Sequence, residues 1–227
     1  MLLIKPSFEI LSPVYSTTML LMIEEAGRTC YKSKSGDTKQ FIHNLLQRGH
    51  HSVLEHQSIS VKIICDRGIS HEIVRHRIAA YSQESTRFCN YANKGVCFII
   101  PNWCNVVPKE YTVEWLNKNG SCIIEKELSV ADNTWFWSMA EAERNYLELL
   151  DLGWQPQQAR SVLPNSLKTE LIMTQNLRQW RHFFAFRALG VSGKPHPQML
   201  ELTIPMLKEF QKLIPVVFDD LNPNKEE

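Results

Sequence analysis

Apolar and polar residues alternate along QSISVKIICD (57–66), with Ile59, Val61, Ile63 and Cys65 on one side, so this stretch predicts a strand with one buried face. LKTELIMTQ (167–175) alternates in the same way, and VCFIIP (96–101) predicts a short apolar strand. Elsewhere the period lengthens. Residues 16–30 predict a helix behind a Ser/Thr cap, and 38–48 predict another that Gly49 ends. GISHEIVRHR (68–77) predicts a helix with Ile69, Ile73 and His76 along one side. Residues 131–151 predict a long amphipathic helix carrying Trp135, Met139, Ala142, Tyr146, Leu149 and Leu150. Pro156 suits the first turn of a helix that runs to about Leu163, where Pro164 stops it. NLRQWRHFFAFRAL (176–189) is helical, with Asn176 a candidate cap, and a last helix starts near Pro197 and is interrupted by Pro205. Strands scattered among helices, without a βαβ rhythm, predict an α+β fold. We expect one domain over residues 1–220, with a mostly antiparallel sheet packed by helices and long helices in its C-terminal half. The segment 221–227 reads as a frayed tail.

Composition narrows the partners. With 25 Lys and Arg against 24 Asp and Glu, the net charge is +1, which asks for neither nucleic acid nor a membrane surface. No apolar run reaches the ~20 residues that span a bilayer. The first residues, MLLIKPSFEILSP, carry a lysine and a proline in the apolar run and no small-residue cleavage site, so no secretory signal is expected. The six cysteines form no C-x-x-C pair and are read as reduced thiols of a cytoplasmic protein.

Against that neutral background, RHRIAAYSQESTRFCNY (75–91) concentrates donors: Arg75, Arg77 and Arg87 with a histidine, hydroxyls and an amide. Guanidinium forks match phosphates and uracil-like carbonyl edges. Arg160, Arg178, Arg181 and Arg187 add to the set, the last three on a helix rich in aromatics. Buried arginines need partners, and no acid falls between Glu170 and Glu201. Either an anionic ligand supplies the charge, or acids from distant segments do. Arg178 and His182, four apart, share a helix face. His71 and His76 are five apart and form no H-E-x-x-H zinc pair. GHHSVLEH (49–56) lacks the cysteine and carboxylate spacing of a metal site, so no metal is expected. A loop in which His50, Ser52 and Glu55 bind a heterocycle or its sugar fits better. G-x-G-x-x-G, the P-loop and G-x-S-x-G are all missing, which excludes Rossmann, P-loop and nucleophile-elbow sites. RHFFAFR (181–187) could instead stack the bases of a single strand, but its amphipathic setting argues for burial.

Arg75-His76-Arg77, seven residues, then Ser85: this spacing resembles the signature of flavin-dependent thymidylate synthases. GHHSVLEH, AGRTCY (26–31), QQARSVLPNSL, NLRQWRHFFAFR and HPQ (196–198) resemble further segments of that family, so the likeness runs over roughly residues 20–210. It implies an α+β fold and a homotetramer with sites where subunits meet. The implied reaction converts 2′-deoxyuridylate (dUMP) to thymidylate, with methylenetetrahydrofolate as carbon donor, NADPH as reductant and FAD between them. By the same likeness His50, Ser52, Glu55, Arg75, His76, Arg77, Ile78, Asn176, Arg178 and His182 would lie along FAD. Glu72, Arg75, Gln83, Glu84, Ser85, Thr86, Arg87, Arg160 and Arg187 would hold the nucleotide, and Arg187 would polarise the pyrimidine. Ser85 is read as a hydrogen-bond donor to phosphate, since no base at a recognisable spacing activates it. The chain departs from the pattern at Phe88, where a tyrosine is usual. It departs again at Ala80, Ser82, Gln83 and His182, and in the extra segment 190–195.

Overall fold

The computed structural model describes residues 1–34, 36–92, 95–116, 119–124 and 127–222. In chain order the elements are β1 (Leu2–Ile4), β2 (Ser7–Ile10), α1 (Ser16–Tyr31), α2 (Thr38–Gln47), a 3₁₀ turn (His51–His56), β3 (Ser58–Asp66), α3 (Arg67–Ile73) and β4 (Ala80–Gln83). Then come β5 (Cys97–Ile99), β6 (Lys109–Glu110), β7 (Glu114–Leu116), β8 (Asn119–Ser121), α4 (Val130–Asp151), α5 (Pro156–Ala159), a 3₁₀ turn (Arg160–Val162) and β9 (Lys168–Asn176). The chain closes with α6 (Leu177–Phe184), a π turn (Ala185–Leu189), α7 (Pro197–Leu213) and α8 (Pro215–Phe218). The α+β class is borne out, and α4 and α7 supply the long C-terminal helices. No helix is long and apolar enough to cross a membrane among the described residues.

The chain divides into two compact units. One comprises residues 1–7, 64–73 and 83–171. In it β1 pairs in parallel with β5 (Leu3 opposite Phe98) and antiparallel with β6. Leu3, Phe98, Ile100, Phe136 and Tyr146 are fully buried in its core, where α4 lays down its apolar face. The Ser129 hydroxyl caps α4 by accepting from the Asp132 N–H at 3.1 Å.

The second unit comprises residues 8–63, 74–82 and 172–227. Most residues of a four-stranded sheet, order β2-β3-β9-β4, belong to it. The alternation foreseen in β3 and β9 is realised: Ile59, Val61 and Ile63, and likewise Leu171 and Met173, are buried. Trp180 and Phe184 of α6, Phe210 of α7 and Phe218 of α8 pack ring against ring, all with no exposed surface. The Trp180 indole N–H is satisfied by the Ile59 carbonyl at 3.1 Å.

Local expectations fared unevenly. Gly49, at φ +73°, ends the second helix as foreseen, because the left-handed conformation costs glycine nothing. The Ser/Thr cap on α1 is corrected: Tyr15 occupies the cap position, makes no side-chain cap bond, and Ser16 already lies inside the helix. The helix expected over 68–77 stops at Ile73. Two adjacent β-branched residues, Ile73 and Val74, weaken it there, and the tertiary contacts of His76 then decide the conformation. The break expected at Pro205 does not occur, because the ring sits on the exposed side of α7 and only one ladder hydrogen bond is forfeited. All six cysteines are free thiols. Of the expected tail, residues 223–227 lie outside the described residues, while Leu221 is buried.

Candidate functional site

A cleft of about 640 Å³ opens in the second unit. Its walls come from four segments: His51 and Glu55 from the 3₁₀ turn, Ile78 from the loop before β4, Asn176 to Ala185 from α6 and its flanks, and Leu221. Five of these, Glu55, Ile78, Asn176, Arg178 and His182, are residues that the sequence marks for a cofactor. Asn176 caps α6 by accepting from the Gln179 N–H at 2.9 Å. Capping fixes where the helix begins, and so where Arg178 and His182 emerge one turn apart. Arg178 meets Glu55 at 2.5 Å, but both are half-exposed, so water screens the pair and a ligand can displace it at little cost.

Arg181 lies deeper. It is 9% exposed, grips the Asp220 carboxylate with two bonds of 2.6 Å and also donates to the Val217 carbonyl. Burial opposes the Asp220 charge, but the Arg181 hydrogen bonds and charge outweigh it and hold the carboxyl below its ordinary value. Of the two sources of charge open at the sequence level, Arg181 takes the internal acid. The His51 imidazole is held below its usual pKa by burial and then by the Arg181 charge. His51 faces the cleft, whereas His50 and Ser52 are exposed and are not part of its lining. Arg75 and Arg77 are also exposed.

His76 and Arg187 form a second cluster in the same unit. The Arg187 Nε–H donates to His76 Nε2 at 3.0 Å. The imidazole packs edge-on against Phe183 (ring centroids 4.9 Å apart) and against His182 (5.7 Å). Burial, then the Arg187 charge, lowers its pKa to about 4, so His76 is neutral at pH 7. Arg187 sits in the π turn, and the Thr203 hydroxyl donates to its carbonyl at 2.7 Å. Such one-turn π insertions recur at functional sites.

The remaining nucleotide candidates fall in the first unit: Glu72, Gln83, Glu84, Ser85, Thr86, Arg87 and Arg160. Gln83 donates its amide to Ser70 Oγ and Thr169 Oγ1, both at 3.1 Å. Glu84 takes the Tyr91 hydroxyl and the Lys168 ammonium, both at 3.0 Å, so these two side chains anchor the segment. Burial and then the Glu84 charge push the Tyr91 phenol well above its usual range. Ser85 starts a tight turn: its carbonyl accepts from the Phe88 and Cys89 N–H groups, and its Oγ accepts from the Arg87 N–H at 3.3 Å. Arg160 donates to the buried Thr86 Oγ1 at 2.8 Å. Arg87 lies exposed over its neighbour Phe88.

Sequence reasoning assigned no cofactor role to His51 or Gln179 and did not find Tyr91 and Lys168 as anchors; Arg181 it singled out only as an arginine in need of a partner. His51 carried a signal as the second histidine of GHHS. The cleft combines guanidinium, amide and imidazole groups with the apolar Ile78, Ala185 and Leu221. That suits a flat heterocycle bearing anionic groups, and its size is that of an ordinary small-molecule site. It fits FAD in chemistry: cations for phosphate, amide and imidazole for a polar ring edge, apolar side chains for a ring face. Phe183 and Phe184 of RHFFAFR have no exposed surface, so neither offers a face for base stacking. No group of three or more His, Cys, Asp or Glu side chains gathers as a metal site among the described residues.

The family described as thymidylate synthase complementing protein matches residues 14–216. A flavin-dependent thymidylate synthase of Geobacter sulfurreducens is 30% identical over 209 residues, 87% of this chain and 80% of that protein. The protein of that name from Corynebacterium aurimucosum is 31% identical over 208 residues, covering 88% and 79%. The one from Mycobacterium tuberculosis is 31% identical over 210 residues, covering 88% and 78%. Among solved structures, the UMP/dUMP methylase PolB from Streptomyces cacaoi, bound with 5-Br dUMP, superposes with a TM-score of 0.74. It covers 96% of both chains at 21% identity, which speaks to the fold.

Proposed function

The chain belongs to the thymidylate synthase complementing protein family, and from that premise we propose that it is a flavin-dependent thymidylate synthase. The reaction is the reductive methylation of dUMP, with methylenetetrahydrofolate as carbon donor and NADPH as reductant. The reading includes action in the cytoplasm, a single functional domain over residues 1–220 and a homotetramer. The observation that carries it is the cleft in which Glu55, Ile78, Asn176, Arg178 and His182 converge from separate segments of a chain of this family.

In this reading Arg178 meets a phosphate of FAD, Asn176 and His182 meet polar edges, and Ile78 covers an apolar face. His50, Ser52, Arg75, His76 and Arg77 complete the cofactor set. When bound, the flavin supplies the hydride chemistry, and the protein aligns the reactants. Ser85, Thr86, Arg87 and Arg160 hold the nucleotide phosphate and sugar, with Glu72, Arg75, Gln83 and Glu84 supporting them. Methylation at C5 needs electron density on that carbon. A guanidinium set against the pyrimidine edge stabilises the anion that supplies it. Arg187 has that role. No thiol is required, and burial pushes Cys65 and Cys104 upward and Cys97 up to about 11, away from the thiolate form.

The purified protein is expected to be yellow, with a flavin spectrum that bleaches on reduction, and to rescue a thymidine-requiring cell. A colourless protein that FAD does not reconstitute would overturn the reading. Ser85→Ala is expected to keep measurable turnover while the KM for dUMP rises about 10- to 100-fold, the worth of one hydrogen bond to a charged group. Complete loss of turnover at unchanged nucleotide affinity would instead make Ser85 a nucleophile.

A further inference from the structure

The bond between Arg187 and His76 joins residues 111 apart in the chain. Its direction is fixed by chemistry. An arginine Nε always carries its proton, so Nε2 of His76 must accept, and the neutral ring holds its own proton on Nδ1. The Nε2 lone pair is therefore committed to Arg187 and is not the atom that His76 offers to a flavin. The imidazole is itself restrained. Its ring rests on Phe183, which has no exposed surface, and the His76 backbone carbonyl accepts from the Tyr81 hydroxyl at 2.8 Å. At the other end, Thr203 is wholly buried and shares its hydroxyl between the Arg187 carbonyl at 2.7 Å and the Met199 carbonyl at 2.9 Å. The π turn leaves that arginine carbonyl where a side chain of α7 can reach it.

We propose that His76 and Thr203 are positioning residues for Arg187: Thr203 fixes the backbone from which the side chain springs, and His76 fixes the rotation of the guanidinium plane. The inference rests on the functional reading only for its consequence, namely that the edge so aimed is the one set against the pyrimidine. A guanidinium has many rotamers and a planar fork, and a fork that must wait to be oriented loses the advantage of being arranged before the reaction. A hydrogen bond at Nε fixes the plane in which the two Nη groups lie. His76 being neutral matters here, since an imidazolium would repel Arg187 and offer no lone pair.

Three variants test this in the holoenzyme. His76→Phe keeps the ring packed on Phe183 and removes the acceptor. His76→Gln restores an acceptor at similar reach. Thr203→Val keeps the shape and removes the donor. His76→Phe is expected to lower kcat about 10- to 100-fold, the range for a displaced catalytic group, with a much smaller change in the KM for dUMP. His76→Gln should recover most of that loss, and Thr203→Val should lower kcat less than His76→Phe does. Combined with Arg187→Ala, His76→Phe should add almost nothing, because both act through one guanidinium. Wild-type kcat in His76→Phe, or multiplying losses in the double variant, would overturn the proposal. A second measurement needs no turnover. In ¹⁵N-arginine-labelled protein, the Arg187 Nε–H resonance, identified by its loss in Arg187→Ala, should be protected from exchange in wild type and in His76→Gln but not in His76→Phe. A wild-type signal that exchanges like a solvent-exposed arginine would sink the positioning role. A protected signal in a protein that makes no thymidylate would sink the functional reading alone.

Discussion

Arg187→Ala is expected to reduce thymidylate formation about 10²- to 10³-fold, the loss typical of removing one preorganised donor from a developing anion. The folded state should hardly notice. Arg187 is only half-buried, and its backbone carbonyl, which alanine keeps, is the atom that the Thr203 hydroxyl holds. One lost hydrogen bond of this kind is worth about 0.5–1.5 kcal/mol, which in a chain of this size lowers the melting temperature by a few degrees. The comparison to make is kcat and Tm on the same preparation. FAD content should stay at the wild-type level, since Arg187 is not part of the cleft lining. A variant that loses turnover because it unfolds, or one that turns over normally, removes Arg187 from the catalytic role. Arg187→Lys is the instructive control. It keeps the charge but has no Nε–H for His76 and no planar edge, so it should resemble alanine in kcat more than wild type.

Arg187 also shows how far sequence reasoning carries at this site. The residue type, the aromatic company and the family resemblance all pointed to it. Nothing in AFRAL foretold that the helix would switch to a π turn there, where the arginine carbonyl accepts from a hydroxyl sixteen residues later. Features that depend on a few neighbouring residues were legible: the alternation of β3 and β9, the Asn176 cap, the glycine stop after α2. Features set by distant partners were not. Nor was the early end of α3, although the β-branched pair Ile73 and Val74 was in plain view, and the partners of His76 beyond it, Arg187 and Phe183, lie far along the chain. Which acid pairs with which arginine was equally hidden: Arg178 takes Glu55, 123 residues away, and Arg181 takes Asp220. The shortest strands, β6 and β8 among them, are too short for any period to show. In the cleft, the sequence reading selected His50, Ser52 and Glu55, whereas the 3₁₀ turn presents His51 and Glu55.

Trp180→Ala should be the most damaging single substitution to the cleft-bearing unit, although Trp180 is no part of the cleft lining. The indole is fully buried, stacks on Phe184, meets Phe183 and Phe210, and donates to the Ile59 carbonyl in β3. Alanine leaves a cavity among rings that are themselves rigid and already in contact, so collapse around it is limited. Substitutions of this kind cost about 3–5 kcal/mol. The Ile59 carbonyl also loses the indole as a donor, which keeps the expectation in the upper part of that range. For a chain of this length the fall in melting temperature is roughly 6–20 °C. The consequence for function is indirect but measurable. Asn176, Arg178, Gln179, Arg181 and His182 all hang on the first two turns of α6, and Trp180 is the residue that seats those turns on the sheet. FAD retention through gel filtration should therefore fall along with stability. Trp180→Phe keeps the ring and loses only the N–H and part of the volume, so it should lie between wild type and alanine on both scales. If Trp180→Ala melted within 2 °C of wild type, the aromatic cluster would not be what holds α6 in place, and the account of how Arg178 and His182 come to face the cleft would have to be abandoned.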